Sequence, residues 1–164
     1  CGAFMKDYAH LLENDPEYAD KAKKFSSKIK DITEFFAEQK PVLNFNSESM
    51  PDTVTYHDAC HLVHAQKVSN QPREVIKSLP GVKYTELEEA SWCCGSAGIY
   101  NVVRYDDAVK QLERKMTNIK NTNAKIVLTG NPGCMGQIKH GTKKFNVDVE
   151  VLHPITFIKR RLSK

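Results

Sequence analysis

The sequence predicts an α/β protein: a four-stranded parallel sheet with helices on both faces, preceded by a helical segment. Three observations support this fold class. After residue 52, short runs of β-branched and apolar residues alternate with longer segments of helical periodicity. The run at residues 125–129 is apolar almost throughout, as is typical of a strand buried on both faces. Before residue 42, the apolar residues recur at helical spacing.

The first part of the chain is predicted to be helical. Apolar residues recur at helical spacing up to residue 12, and Asn14-Asp15-Pro16 then breaks the run. Asp15 can cap the next helix, and Pro16 fits its first turn. From Tyr18 to Phe36 an apolar stripe predicts one continuous helix that ends at about residue 39.

A linker is predicted at residues 42–51, which are rich in Asn and Ser and bracketed by prolines. It would separate a helical lead-in at 1–41 from an α/β domain at 52–164. The predicted strands of that domain are residues 53–57, 82–87, 125–129 and 147–152.

The helices between these strands have recognisable beginnings. Asp58 is expected to cap a helix from residue 59 to about 67, and a second helix covers about 72–79. A long amphipathic helix follows residue 101, and Asn131 with Pro132 begins one that runs to about residue 140. Such alternation is typical of an open sheet of the Rossmann or flavodoxin kind.

Composition indicates an ordinary soluble protein. No apolar run approaches the roughly 18 residues of a membrane span, so we expect a cytoplasmic chain, with attachment to the inner face of a membrane as the alternative. The 24 Lys and Arg are interspersed with 20 acidic residues, which argues against nucleic acid as a partner. The basic tail at 159–164 is expected to be a solvated helix end.

Four cysteines lie in or just after predicted strand-to-helix turns: Cys60, Cys93, Cys94 and Cys134. In an open parallel sheet these turns lie along one edge, so we expect the four side chains to converge there. Adjacent cysteines such as Cys93-Cys94 are unusual in a simple zinc site and favour a multinuclear centre. The sequence therefore predicts one metal centre at this edge, an iron–sulfur cluster.

Backbone groups are expected to support such a centre. Gly95, Gly98 and Gly133 would allow the backbone to approach the sulfur atoms closely. Helix N-termini would direct unpaired N–H groups and positive dipole ends at an anionic cluster. Hydrogen bonds to the sulfur atoms would tune its potential.

Other interpretations of the cysteines remain open. They could be buried hydrophobes, a catalytic thiol beside His57, His61 or His64, or a vicinal disulfide at 93–94. The three histidines could be ligands, hydrogen-bond donors or proton carriers, but we expect each to be packed with its hydrogen bonds satisfied. No residue is predicted to be catalytic.

Three segments resemble the CCG family of cysteine-rich domains: residues 57–61 (HDACH), 93–101 (CCGSAGIYN) and 130–135 (GNPGCM). That domain occurs in the glycolate oxidase iron–sulfur subunit, in heterodisulfide reductases and in lactate-utilisation proteins. The resemblance covers roughly residues 52–158 and is strongest to the glycolate oxidase branch.

The resemblance implies that Cys60, Cys93, Cys94 and Cys134 bind a [4Fe–4S] cluster, noncubane in part of the family, or zinc. A zinc ion or an empty site is the alternative for an isolated fragment. One departure bears on the cluster type, because the family motif closes with C-x-x-C and Gln137 stands at the second position here. Family members usually carry two repeats. Cys1-Gly2 resembles the end of the first, so this chain would be the second.

The resemblance also implies a function. The chain would be an electron-transfer domain of a flavin-linked 2-hydroxy-acid (glycolate) oxidase complex, relaying electrons from a flavin subunit to a quinone-type acceptor. Its partners would be that flavin protein and an N-terminal ferredoxin-like part, and we expect the isolated chain to have no activity of its own. The alternatives are a heterodisulfide reductase module and a zinc-stabilised scaffold.

Overall fold

The computed structural model describes residues 1–46 and 52–163, and a parallel sheet forms its centre. The strands are β1 (Asp52–Tyr56), β2 (Val82–Tyr84), β3 (Ile126–Leu128) and β4 (Glu150–Leu152). All neighbours are parallel, and the order is β2-β1-β3-β4. The register aligns Val54 with Tyr84 on one side and with Ile126 on the other. The predicted four-stranded parallel sheet is confirmed.

Helices cover both faces of the sheet. The helices of the described residues are α1 (Gly2–Lys6), α2 (Tyr8–Leu11), α3 (Ala19–Ser26), α4 (Ile32–Gln39), α5 (Asn70–Ser78), α6 (Tyr100–Val103), α7 (Tyr105–Asn121), α8 (Pro132–Lys144) and α9 (Pro154–Arg161). One core lies between the sheet and the pair α7 and α8, and the other lies between the sheet and the pair α5 and α9. This is the predicted two-sided arrangement.

In the central strand β3, successive residues are all apolar instead of alternating between apolar and polar. Val127 faces the α7 and α8 side, whereas Ile126 and Leu128 face the α5 and α9 side. All three side chains are buried because helices cover both faces. The apolar run that predicted a doubly buried strand was therefore a correct signal.

The predicted helix from Tyr18 to residue 39 is wrong, because two helices replace it. Helix α4 begins with a capping box, in which the Asp31 carboxylate accepts from the Thr33 N–H at 2.9 Å. The Glu34 carboxylate in turn accepts from the Asp31 N–H at 2.8 Å. The D-x-x-E pattern of residues 31–34 is a helix-start signal in the sequence. The prediction missed it because the apolar stripe continues across this point.

Two other helices differ from the prediction. After β1 the chain forms a π-helical turn at His61–Ala65 instead of an α-helix, and Asp58 caps no helix. The long helix after residue 101 is divided into α6 and α7 at Arg104, whose backbone leaves the helical region at φ −130° and ψ 52°. Helix α8 begins at Pro132 as predicted and extends to Lys144.

The segments on either side of the predicted linker pack on the α/β body. Phe36 and Ala37 of α4 contact the core beside α5 and α9, and Phe45 forms a bridge with Leu162. Residues 47–51 of the predicted linker lie outside the described residues. The proposed division at residues 41 and 52 stays a prediction.

The basic tail is not uniformly solvated. Arg161 is 2% exposed, forms an ion pair with Asp52 and donates to the Pro80 carbonyl. The prediction of a solvated helix end is therefore wrong for Arg161, which ties α9 to β1. Within the described residues, no helix combines the length and apolarity needed to cross a membrane.

Candidate metal centre

Three chemically reactive side chains meet at the carboxyl ends of three neighbouring strands. His57 directly follows β1, Cys94 lies in the loop after β2, and Cys134 lies in the first turn of α8 after β3. One imidazole nitrogen and the two Sγ atoms all lie within 4.8 Å of one another. From β1 the chain continues to β2 on one side of the sheet and then to β3 on the other side of β1. In parallel sheets ligands bind at such a topological switch point, which here lies between β1 and β3.

Hydrogen bonds from backbone N–H groups hold two of these positions, those of His57 and Cys134. The His57 N–H donates to the Leu128 carbonyl at 2.9 Å, which extends the pairing of β1 with β3 by one residue. The Asn131 side chain accepts from the N–H groups of Gly133 and Cys134, at 2.8 and 3.2 Å, and so caps α8 as predicted. These N–H groups are therefore used by the cap and are not free to hydrogen-bond sulfur.

Two glycines of the site lie where another protein segment passes closely. Gly95 has φ +87°, and a Cβ atom there would lie 2.5 Å from the Ala108 carbonyl oxygen of α7. A Cβ at Gly133 would lie 2.8 Å from Ser96 Oγ. These two glycines let protein segments approach one another beside the cysteines. At Gly98, with φ +65°, an added Cβ would meet no atom within 4 Å.

The environment of the thiols disfavours the thiolate form in the metal-free chain. The Cys134 thiol beside it and burial raise the pKa of Cys94 to about 12. Contact with Cys94, together with burial, raises the pKa of Cys93, although the Gly95 N–H donates to Cys93 Sγ at 3.3 Å and acts in the opposite direction. A bound cation would provide the positive charge that stabilises these thiolates.

His57 is packed against these thiols. The residue is 1% exposed, and neither ring nitrogen makes a hydrogen bond of normal geometry within the described part of the chain. The Ala90 carbonyl lies near enough to favour the protonated ring weakly. Burial, followed by the nearby Lys115 ammonium, lowers the pKa of His57 to about 3, so the imidazole is neutral. The prediction of a satisfied histidine is wrong here, while His61 and His64 are exposed.

Lys115 of α7 is a buried cation that the sequence analysis missed. Its side chain is 0% exposed and donates to the Glu89 carbonyl, and burial lowers its pKa to about 8. Negative charge on Cys94 and Cys93 acts in the opposite direction and raises the pKa of Lys115. The available signal was its spacing of three from Leu112 and four from Ile119, which places it on the buried face of α7.

Asp58 and Arg73 connect the loop that carries Cys60 to helix α5. Arg73 makes two parallel hydrogen bonds of 2.8 Å to the Asp58 carboxylate and a third of 2.7 Å to the Ser69 carbonyl. It also pairs with Glu86 after β2 at 2.7 Å. Asp58 is therefore a structural anchor between two strand ends and not a helix cap.

Replacing Arg73 with Ala is expected to lower the free energy of unfolding by about 2 kcal/mol, because the buried Asp58 carboxylate loses its charged donors. The shift of the urea midpoint of the reduced chain measures the effect. Glu74→Ala, at the neighbouring exposed position of α5, is the control, and we expect a change within about 0.5 kcal/mol. Equal effects in the two variants would show that the anchor is not structural.

The remaining predicted ligands are near this group but outside it. Cys93 contacts Cys94 from the adjacent position, and Cys60 lines a cleft of about 970 Å³ together with Cys134 and Cys1. Gln137, at the position of the missing fifth cysteine, is 5% exposed and accepts from the Asn101 amide at 3.0 Å. All five cysteines lie within the described ranges and are free thiols, so the vicinal pair is not a disulfide.

Comparison with known proteins gives relatives of two kinds. The chain is 41% identical over 148 residues to the probable glycolate oxidase iron-sulfur subunit of Bacillus subtilis, covering 88% of this chain and 32% of that protein. It is 30% identical to the glycolate oxidase iron-sulfur subunit of Escherichia coli, covering 100% of this chain and 38% of that protein. Lactate utilization protein A of Bacillus subtilis is 26% identical, over 93% of this chain and 64% of that protein.

The chain thus spans less than two thirds of the length of each of these relatives. A family model described as the cysteine-rich domain CCG matches residues 54–139. That match includes the last three residues of β1, all of β3, the start of α8 and the side chains that meet at their ends. It also covers more than half of the 164 residues, so this chain belongs to the CCG family of cysteine-rich domains.

Proposed function

We propose that this chain is an iron–sulfur electron-transfer domain of a flavin-linked 2-hydroxy-acid oxidase. In this proposal Cys60, Cys93, Cys94 and Cys134 hold a [4Fe–4S] cluster. The observation that carries the proposal is the meeting of Cys94, Cys134 and a neutral histidine at the ends of three adjacent strands. The names of the relatives, two of which are glycolate oxidase iron-sulfur subunits, support the same centre.

The donor groups present fit such a cofactor. Thiolates are the usual protein ligands of iron–sulfur clusters, and Cys94 and Cys134 are both at least nine-tenths buried. The alternative of cysteines that are simply buried hydrophobes does not explain why a side chain with two unpaired polar atoms lies between them. When bound, the cluster would accept and release single electrons.

The protein's own residues would do three things at this site. The loops after β1, β2 and β3 bring the ligands together and exclude water from Cys94 and Cys134. The Gly95 N–H hydrogen-bonds Cys93 Sγ, which stabilises negative charge on that sulfur. The buried Lys115 ammonium partly offsets the charge of several thiolates.

The wider assembly is part of the proposal. The chain spans 32% and 38% of the two glycolate oxidase relatives. In this proposal the complete complex also contains a flavin subunit and a ferredoxin-like part, and it passes electrons to a quinone-type acceptor. We propose that the chain is the second repeat, with Cys1 ending the first. Cys1 lines the same cleft as Cys60.

Freeze-quench EPR on the full-length protein with its flavin subunit tests this function. We expect glycolate to reduce the cluster of this domain under anaerobic conditions, and a quinone analogue to reoxidise it. The heterodisulfide alternative predicts instead that a disulfide substrate reoxidises the cluster. A cluster that glycolate cannot reduce in an otherwise active complex would contradict the proposed relay.

A zinc-stabilised scaffold is the second candidate, and one observation favours it. Two thiols and one imidazole within 4.8 Å of one another are also suitable ligands for one tetrahedral zinc ion. Such a centre would hold the loops together without taking part in electron transfer. Iron, sulfide and zinc analysis of protein purified without oxygen distinguishes the two candidates.

Lys115 provides a test of the redox role. Lys115→Met removes a buried positive charge near an anionic centre, so adding an electron becomes less favourable. We expect the midpoint potential to fall by roughly 50–100 mV, since a unit charge several ångströms away contributes about 2 kcal/mol at an effective dielectric constant near 20. Lys120→Met, at an exposed position on the same helix, should leave the potential unchanged in the same EPR-monitored titration.

A further inference from the structure

We propose that His57 is a direct ligand of this metal centre, so that the centre is bound by both thiolates and an imidazole. The inference rests on the proposed function, because it concerns the same cluster. It assigns a role to a residue outside the four cysteines that the sequence predicted as ligands.

The first observation is that neither nitrogen of the His57 ring makes a hydrogen bond of normal geometry with any described residue. Among the described residues this is the one side chain whose two polar atoms are both buried and both without a hydrogen-bond partner. A buried polar group without a partner costs about 1–3 kcal/mol. A metal ion bound by one of the two nitrogens would compensate for part of that cost.

The second observation is that the imidazole is fixed beside the thiols. The His57 N–H donates to the Leu128 carbonyl, which holds the backbone of this residue at the sheet edge, and the side chain is buried at 1% exposure. From this position one ring nitrogen lies within 4.8 Å of both Cys94 Sγ and Cys134 Sγ. These distances bring all three donor atoms within reach of one metal centre.

The third observation concerns the number of donors. Gln137, one helical turn after Cys134, is occupied by its hydrogen bond from Asn101 and offers no thiol. Besides the four predicted ligands the sequence has one cysteine, Cys1, which is exposed. His57 supplies an additional buried donor from the position directly after β1. A neutral imidazole adds no negative charge to a centre that is buried in the core.

Pulsed EPR on the chain labelled with ¹⁵N-histidine tests the assignment. After anaerobic reconstitution and reduction, we expect the cluster signal to show hyperfine coupling to a histidine nitrogen. The coupling should disappear in His57→Gln and persist in His61→Gln. His61 is the matched control because it follows Cys60 in the same cleft and is exposed.

A second variant covers the case in which His57→Gln does not fold. His57→Cys keeps a metal-binding side chain at this position, so it should bind as much iron as the unchanged chain. Its midpoint potential should shift to lower values, because thiolate donates more negative charge than imidazole does. An unchanged potential in this variant would contradict direct ligation.

The outcomes separate the inference from the function on which it rests. A cluster with no histidine coupling, or with a coupling that is lost in His61→Gln instead, overturns the role of His57 and leaves the iron–sulfur assignment intact. A chain that assembles no paramagnetic cluster overturns the proposed function and this inference with it.

Discussion

Cys94→Ser is expected to abolish cluster binding, with bound iron falling at least tenfold after anaerobic reconstitution. Cys94 is 1% exposed and contacts both Cys93 and Cys134, so its sulfur is central to the group of donors. A serine hydroxyl is a much weaker ligand than a thiolate. Loss of residues that only support a ligand already costs about 10–100-fold in affinity, and loss of the ligand itself should exceed that.

The same assay on two other cysteine variants defines the ligand set. Cys1→Ser is the control, because Cys1 is exposed and is not among the four predicted ligands. Cys60→Ser should lose iron as Cys94→Ser does, if the loop after β1 closes on the cluster. Full iron and sulfide content in Cys94→Ser would show that the centre is not built on this sulfur.

Gly95→Ala is expected to lower the free energy of unfolding of the reduced, metal-free chain by about 3 kcal/mol. A non-glycine residue at φ +87° costs roughly 1–2 kcal/mol. The added Cβ would also lie 2.5 Å from the Ala108 carbonyl oxygen, a backbone atom that can move only with α7. Overpacking of this kind adds roughly 1–3 kcal/mol. Urea denaturation under reducing conditions measures the sum.

Gly98→Ala separates these two contributions. Gly98 also has a left-handed backbone, with φ +65°, but an added Cβ there meets no atom within 4 Å. We expect it to cost about 1 kcal/mol, the strain alone. Equal stability of the two variants would show that the contact with Ala108 of α7 is not the reason for glycine at position 95.

The elements that the sequence predicted well are those with a local cause. The doubly buried β3 is marked by its apolar run, and α8 is marked by the cap and the proline at its start. The convergence of Cys94 and Cys134 followed from topology, since the turns after parallel strands meet at one edge. The strand β3 and the start of α8 could be predicted from neighbouring residues, and the meeting of the two cysteines could be predicted from the strand order.

The features that the sequence did not predict depend on groups far apart in the chain. Asp58 has the sequence position of a helix cap, and only the fold shows that Arg73, fifteen residues later, takes its carboxylate. The unpaired ring of His57 results from what surrounds it, and the burial of Lys115 results from the packing of α7 on the loop after β2. Periodicity places Lys115 on the buried face of α7 but does not identify the groups that Lys115 and His57 meet there.

The most direct test of the account is the amount of iron and acid-labile sulfide per chain after purification and reconstitution without oxygen, with EPR of the reduced protein. We expect about four iron and about four sulfide per chain and a paramagnetic signal that Cys94→Ser lacks. One zinc per chain, with no sulfide and no signal, would contradict the central claim that these loops gather the ligands of an electron-transfer cluster.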